Sequence, residues 1–89
     1  MQYTIVTGMS GSGKTKVIRY LEDMGYFCID NMPPMLIPKF SEMLTSVNGK
    51  FNNVAFVVDT RVGDMINELL AQIDDLKQKG YDCKLLYIN

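Results

Sequence analysis

Tyr3-Thr4-Ile5-Val6-Thr7-Gly8-Met9-Ser10-Gly11-Ser12-Gly13-Lys14-Thr15 is the stretch on which the fold turns. Tyr3–Val6 is a short β-branched and aromatic run, the composition of a buried strand. From Lys14 to about Met24 the apolar residues Val17, Ile18, Leu21 and Met24 step at helical spacing. Between the two, Gly8-Met9-Ser10-Gly11-Ser12-Gly13-Lys14-Thr15 matches G-x-x-x-x-G-K-[ST] in full. A flexible Gly/Ser turn would not need to end in Lys-Thr. The residue types suit phosphate binding. Glycines let the backbone curl so that successive N–H groups point inward at an anion. The helix N-terminus adds the positive end of its dipole. Lys14 supplies a mobile point charge for β- and γ-phosphates, and the Thr15 hydroxyl suits Mg²⁺. The spacing therefore predicts a P-loop NTPase fold.

The remaining chain agrees with that fold. Gly25 stands where a helix C-cap glycine would, and Tyr26–Ile29 forms a second apolar run closed by Asp30. Asn31-Met32-Pro33-Pro34 must turn, because prolines remove donors and bar the preceding residue from helix. Met35, Leu36, Phe40, Met43, Leu44 and Val47 suggest a second helix with Pro38 near its start. Val54–Val58 reads as a third buried strand closed by Asp59. Met65, Ile66, Leu69, Leu70, Ile73 and Leu76 read as a third helix capped by Gly80, and Cys83–Ile88 as a fourth strand. This β-α-β-α-β-α-β pattern implies a parallel sheet of about four strands with helices on both faces, a three-layer α/β/α architecture. The fourth strand has no helix after it, so the layers are truncated. Residues 1–89 are then expected to be an incomplete N-terminal domain of a longer protein, a naturally minimal domain being the alternative.

Ligands of open parallel sheets bind at the carboxyl ends of the strands. Asp30 and Asp59 are both expected there. Asp59 follows five apolar residues, the Walker-B pattern for a carboxylate aimed at Mg²⁺; a helix-cap or turn aspartate is the plainer reading. If Asp59 and Thr15 share one Mg²⁺, the Asp59 strand must flank the first strand, giving the order 2-3-1-4. Asp30 is either a second ligand at the acceptor position of P-loop kinases or an Asx-turn residue supporting the proline turn. Arg61 is either an anion-binding group or a solvated loop residue. The methionines Met9, Met24, Met32, Met35, Met43 and Met65 read as core filler. Asp74-Asp75 and Lys77–Lys79 read as a solvated helix face.

Composition narrows the function classes. Eighty-nine residues make one small domain, and 9 basic against 10 acidic residues argue against holding nucleic acid by bulk charge. No apolar run approaches the ~20 residues that span a bilayer, and the N-terminus lacks a basic signal region. Cys28 and Cys83 have no metal spacing and read as buried, reduced thiols of a cytoplasmic protein. With no histidine, catalysis must fall to carboxylates, Lys, Arg, hydroxyls or a bound ion.

The stretch Leu21-Glu22-Asp23-Met24-Gly25-Tyr26-Phe27-Cys28-Ile29-Asp30-Asn31-Met32-Pro33, taken with the glycine loop and Asp59-Thr60-Arg61, closely resembles the RapZ/YvcJ family. That family carries LEDxGxxCxDNLP, with Met32 here in place of Leu, followed by an apolar strand ending in D-x-R. The likeness covers nearly all of this chain, about the first third of a family member. It implies binding and slow hydrolysis of ATP and GTP, with ATP at Gly8–Thr15 and GTP at Asp59, Thr60, Arg61 and Val62. The family position of Val62 is usually polar or glycine, so Val62 is a departure. Lys14 and Asp59 would carry the chemistry, and Thr15 and Asp59 the Mg²⁺. RNA and protein partners are implied only for the full-length protein, and no membrane is expected. Two other readings stand beside this one: a small-molecule kinase of the gluconate- or shikimate-kinase-like type, and an interaction domain that keeps a P-loop without turnover.

Overall fold

A computed structural model describes residues 2–8, 13–47, 51–59 and 65–88. Strand β1 (Gln2–Gly8) leads to helix α1 (Lys14–Asp23), then β2 (Phe27–Ile29), a 3₁₀ turn (Pro34–Leu36), α2 (Ile37–Thr45), β3 (Asn53–Asp59), α3 (Met65–Gln78) and β4 (Asp82–Ile88). All pairings are parallel and the order is β2-β3-β1-β4. The expected order 2-3-1-4 is therefore the observed one, with β3 directly beside β1.

The two faces of the sheet bury different residues, as the two-residue side-chain period requires. Tyr3 and Ile5 on β1, with Val54, Phe56 and Val58 on β3, pack against Ile37 and Leu44 of α2 and Leu69, Ile73 and Leu76 of α3. Tyr3 stacks on Phe56 at 5.6 Å and meets Tyr81 edge-on at 5.5 Å. Val6, Ala55 and Val57 face the other way, towards Leu21, Val17 and Ile18 of α1. Gly25 and Gly80 follow α1 and α3 with φ of 93° and 91°. This left-handed backbone suits glycine and lets the chain reverse into the next strand.

Three details depart from the sequence expectations. The second helix begins as a 3₁₀ turn, because Pro33 and Pro34 are followed by Pro38, and α2 starts only at Ile37. Of the methionines expected in the core, Met32 is buried, but Met24, Met35 and Met43 are exposed, Met35 to 70%. Met24 follows the end of α1, Met35 lies in the 3₁₀ turn, and Met43 lies on α2 beside an open groove that leaves it in contact with solvent. Met9 lies outside the described residues. Leu85, Leu86 and Tyr87 on edge strand β4 are also exposed. Their apolar character reads as two-sided burial, but on this edge strand only Cys83 is buried in the core beneath α3, and these three residues stay uncovered.

Candidate functional site

Parallel pairing puts the carboxyl ends of β1, β2 and β3 along one edge. Gly8 ends β1 directly in register with Asp59, which ends β3. Neighbouring strands lie about 4.8 Å apart, so the two residues are adjacent across the sheet. Helix α1 starts at this edge. Gly13 holds φ 93°, a conformation open to glycine at little cost, and its carbonyl accepts from the N–H groups of Lys16 and Val17. No side chain caps the N-terminus of α1 among the described residues, and its first turn contains no acidic residue. The positive end of its dipole therefore lies at the same edge as the strand ends.

Lys14 bends back over that edge. Its Nζ donates to the Gly8 carbonyl at 2.9 Å and lies 3.7 Å from Asp59 Oδ1. The two side chains are only 13% and 28% exposed, so the pair is partly withdrawn from water. Gly8, Gly13, Lys14 and Asp59 are therefore brought together, and Thr15 begins the same helical turn. Met9, Ser10, Gly11 and Ser12 lie outside the described residues, as do Thr60, Arg61 and Val62 of the expected D-x-R segment.

Asp30 lies at the same edge but two strands from Gly8, beyond β3. Its Oδ1 accepts the Asn31 N–H at 2.7 Å, while Asn31 takes the left-handed φ of 55° that asparagine tolerates. Met32 N–H then donates to Val57 O at 2.8 Å and ties the turn to β3. The observed contact of Asp30 is thus local. Asp30 also ends a groove of about 600 Å³ between the free edge of β2 and α2, walled by Phe27, Phe40, Met43, Val47 and Phe51. The Phe27 and Phe51 rings in its lining pack on each other with centroids 4.7 Å apart. Nothing in the sequence pattern flags this groove, because its aromatics come from three separate segments.

Both cysteines are free. Burial pushes the Cys28 thiol up, assisted by Glu22, and burial likewise raises Cys83 against the partial opposition of Lys77. Cys83 is buried as expected from the sequence, whereas Cys28 is only half-buried, and both shifts favour the protonated thiol. No group of three or more His, Cys, Asp or Glu side chains could hold a metal among the described residues. No described helix is long and apolar enough to cross a membrane.

Sheet order and strand-end site define an α/β domain of P-loop-like architecture. The chain belongs to the RapZ-like N-terminal domain family, whose model matches residues 1–89. It is 44% identical over 88 residues to a nucleotide-binding protein of Ruminiclostridium cellulolyticum, covering 99% of this chain and 30% of that protein. It is 46% identical over 88 residues to one from Acetivibrio thermocellus, with the same coverage of each. A further nucleotide-binding protein, from Clostridium acetobutylicum, is 47% identical over 89 residues, covering 100% of this chain and 30% of that one. The chain thus spans 30% of the length of the curated relatives it matches.

Proposed function

We propose that this chain binds ATP and GTP through a P-loop formed by Gly8–Thr15, as the phosphate-binding part of a regulatory RapZ-like protein with weak NTPase activity. The observation that carries this reading is the Lys14 ammonium held at the joined ends of β1 and β3, against Gly8 and beside Asp59. Cation, helix N-terminus and carboxylate converge there. A glycine-rich sequence between β1 and α1 is of the kind whose backbone N–H groups bind phosphate, which supports the same reading. The names of the relatives support nucleotide as the ligand class.

Asp59 and Thr15 fit a Mg²⁺ site, since a hard cation takes oxygen ligands and both residues lie at this edge. Bound there, Mg²⁺ would neutralise charge on the β- and γ-phosphates. Lys14 would position the phosphates, and Asp59 would orient the cation. Asp59, Thr60, Arg61 and Val62 are the proposed GTP segment, and Asp30 is a candidate second ligand. The groove beside Asp30 favours the nucleotide module over a gluconate- or shikimate-kinase-like enzyme. Its walls are apolar, and a polyhydroxylated acceptor would leave its hydroxyls without partners there.

We extend the proposal to the whole protein as follows. Residues 1–89 form part of a larger domain whose further segments cover Leu85, Leu86 and Tyr87. RNA or protein partners engage the longer protein, which is cytoplasmic. The test is equilibrium titration of fluorescent ATP and GTP analogues with the chain in Mg²⁺, chased by unlabelled tripolyphosphate. Saturable binding displaced by tripolyphosphate is expected. Absence of saturable binding to either nucleotide would defeat the reading, and binding that adenosine but not tripolyphosphate displaces would move the site off Gly8–Thr15.

A further inference from the structure

The Lys14–Asp59 contact carries a consequence for how nucleotide and metal share this site. An ammonium has three donors. In Lys14 one is given to Gly8 O at 2.9 Å, and the Asp59 carboxylate lies 3.7 Å away. The same carboxylate is the group expected to hold Mg²⁺. Both partners are set by backbone: Gly8 and Asp59 are in-register residues of adjacent strands, and Lys14 is the first residue of α1. The backbone positions of all three residues are fixed by the sheet and the helix, so any competition for the carboxylate must be resolved by movement of the flexible lysine side chain.

Resting on the nucleotide-binding reading above, we propose that Asp59 is a positioning residue for Lys14. It holds the ammonium against Gly8, and it releases Lys14 to the nucleotide phosphates when a divalent cation takes the carboxylate. Metal and nucleotide are then coupled through the lysine as well as through direct metal–phosphate contact. Without metal, phosphate must compete with Asp59 for Lys14. With metal, Asp59 is occupied and Lys14 is drawn to the phosphates.

A double-mutant cycle tests this, with binding of a fluorescent ATP analogue in excess EDTA as its readout. The four proteins are the unaltered chain, Asp59→Asn, Lys14→Met and the double variant. Asp59→Asn keeps shape and removes the charge. It should tighten metal-free binding about fivefold, the equivalent of a partly exposed ion pair. In the Lys14→Met background the same change should alter binding less than about twofold, because the effect passes through the lysine. Asp59→Glu should restore weak metal-free binding. In Mg²⁺ the order reverses, Asp59→Asn losing the gain that metal gives the unaltered chain. A gain in EDTA that persists in the Lys14→Met background would show bulk charge repulsion and overturn the proposal, as would no gain at all. If the unaltered chain binds nothing in Mg²⁺, the nucleotide reading falls and this proposal with it. If it binds in Mg²⁺ but the cycle shows no coupling, only the role of Asp59 falls.

Discussion

Thr7 should be a stabilising site for substitution by valine. It lies in β1 with no exposed surface, in register with Val58 of β3 and on the face that carries Tyr3 and Ile5. Its Oγ1 meets no hydrogen-bond partner among the described residues. A hydroxyl taken out of water without a partner costs about 1–3 kcal/mol. Valine replaces Oγ1 by a methyl group of similar size, so packing is kept and that cost is removed. Thr7→Val should therefore raise the unfolding free energy by about 1–2 kcal/mol. In a domain of this size each kcal/mol moves Tm by about 4–8 °C. Urea titration followed by circular dichroism measures the change, with Thr7→Ser as the control. Serine keeps the hydroxyl and loses a buried methyl, which should cost about 1 kcal/mol. If Thr7→Val destabilises as much as Thr7→Ser does, the hydroxyl has a partner such as a buried water, and the reasoning is wrong.

Other outcomes follow from the same contacts. Lys14→Ala should weaken ATP binding about tenfold to a hundredfold, the equivalent of one charge-assisted hydrogen bond, with a urea midpoint close to that of the unaltered chain. Unchanged ATP titration would refute the phosphate role. Phe56→Ala removes a fully buried ring stacked on Tyr3, and should cost about 3–5 kcal/mol, enough to bring so small a domain near unfolding by calorimetry. Gly80→Ala should cost about 1 kcal/mol in urea titration, from backbone strain at φ 91° and not from a clash, since an added Cβ has open space. Burial, reinforced by Tyr81 and Cys83, pushes the Tyr3 hydroxyl up to about 12 from an ordinary value near 10. The folded chain then keeps a proton that the unfolded chain has lost, so stability is complete below pH 10 and falls as pH rises towards 12. Tyr3→Phe should flatten that alkaline decline in urea midpoints, and an unaltered slope would refute the assignment.

Much of this molecule is legible one residue at a time. The alternation of apolar runs with helical periodicity identifies the elements, because each run is short, β-branched or aromatic, and bounded by glycine, proline or aspartate. The Gly8–Thr15 spacing marks the change from strand to helix, because a glycine- and serine-rich stretch follows an apolar run and leads into helical periodicity. Gly25 and Gly80 announce their left-handed turns for the same local reason. The order β2-β3-β1-β4 was also expected, on the ground that Asp59 must reach the side of β1.

Other properties belong to the folded arrangement alone. That Met32 is buried while Met35 and Met43 are exposed depends on which side of a proline-delayed helix meets the sheet, and three apolar methionines look alike in sequence. The exposure of Leu85, Leu86 and Tyr87 depends on the edge position of β4, which strand composition does not encode. The groove beside β2 exists because Phe27, Phe40 and Phe51, distant in sequence, converge in space. Lys14 stands against Gly8 and Asp59 for a similar reason. Parallel register sets the ends of β1 and β3 side by side, and α1 begins over that shared edge, so a contact spanning 45 residues of chain is created by hydrogen-bonded pairing and not by any local preference.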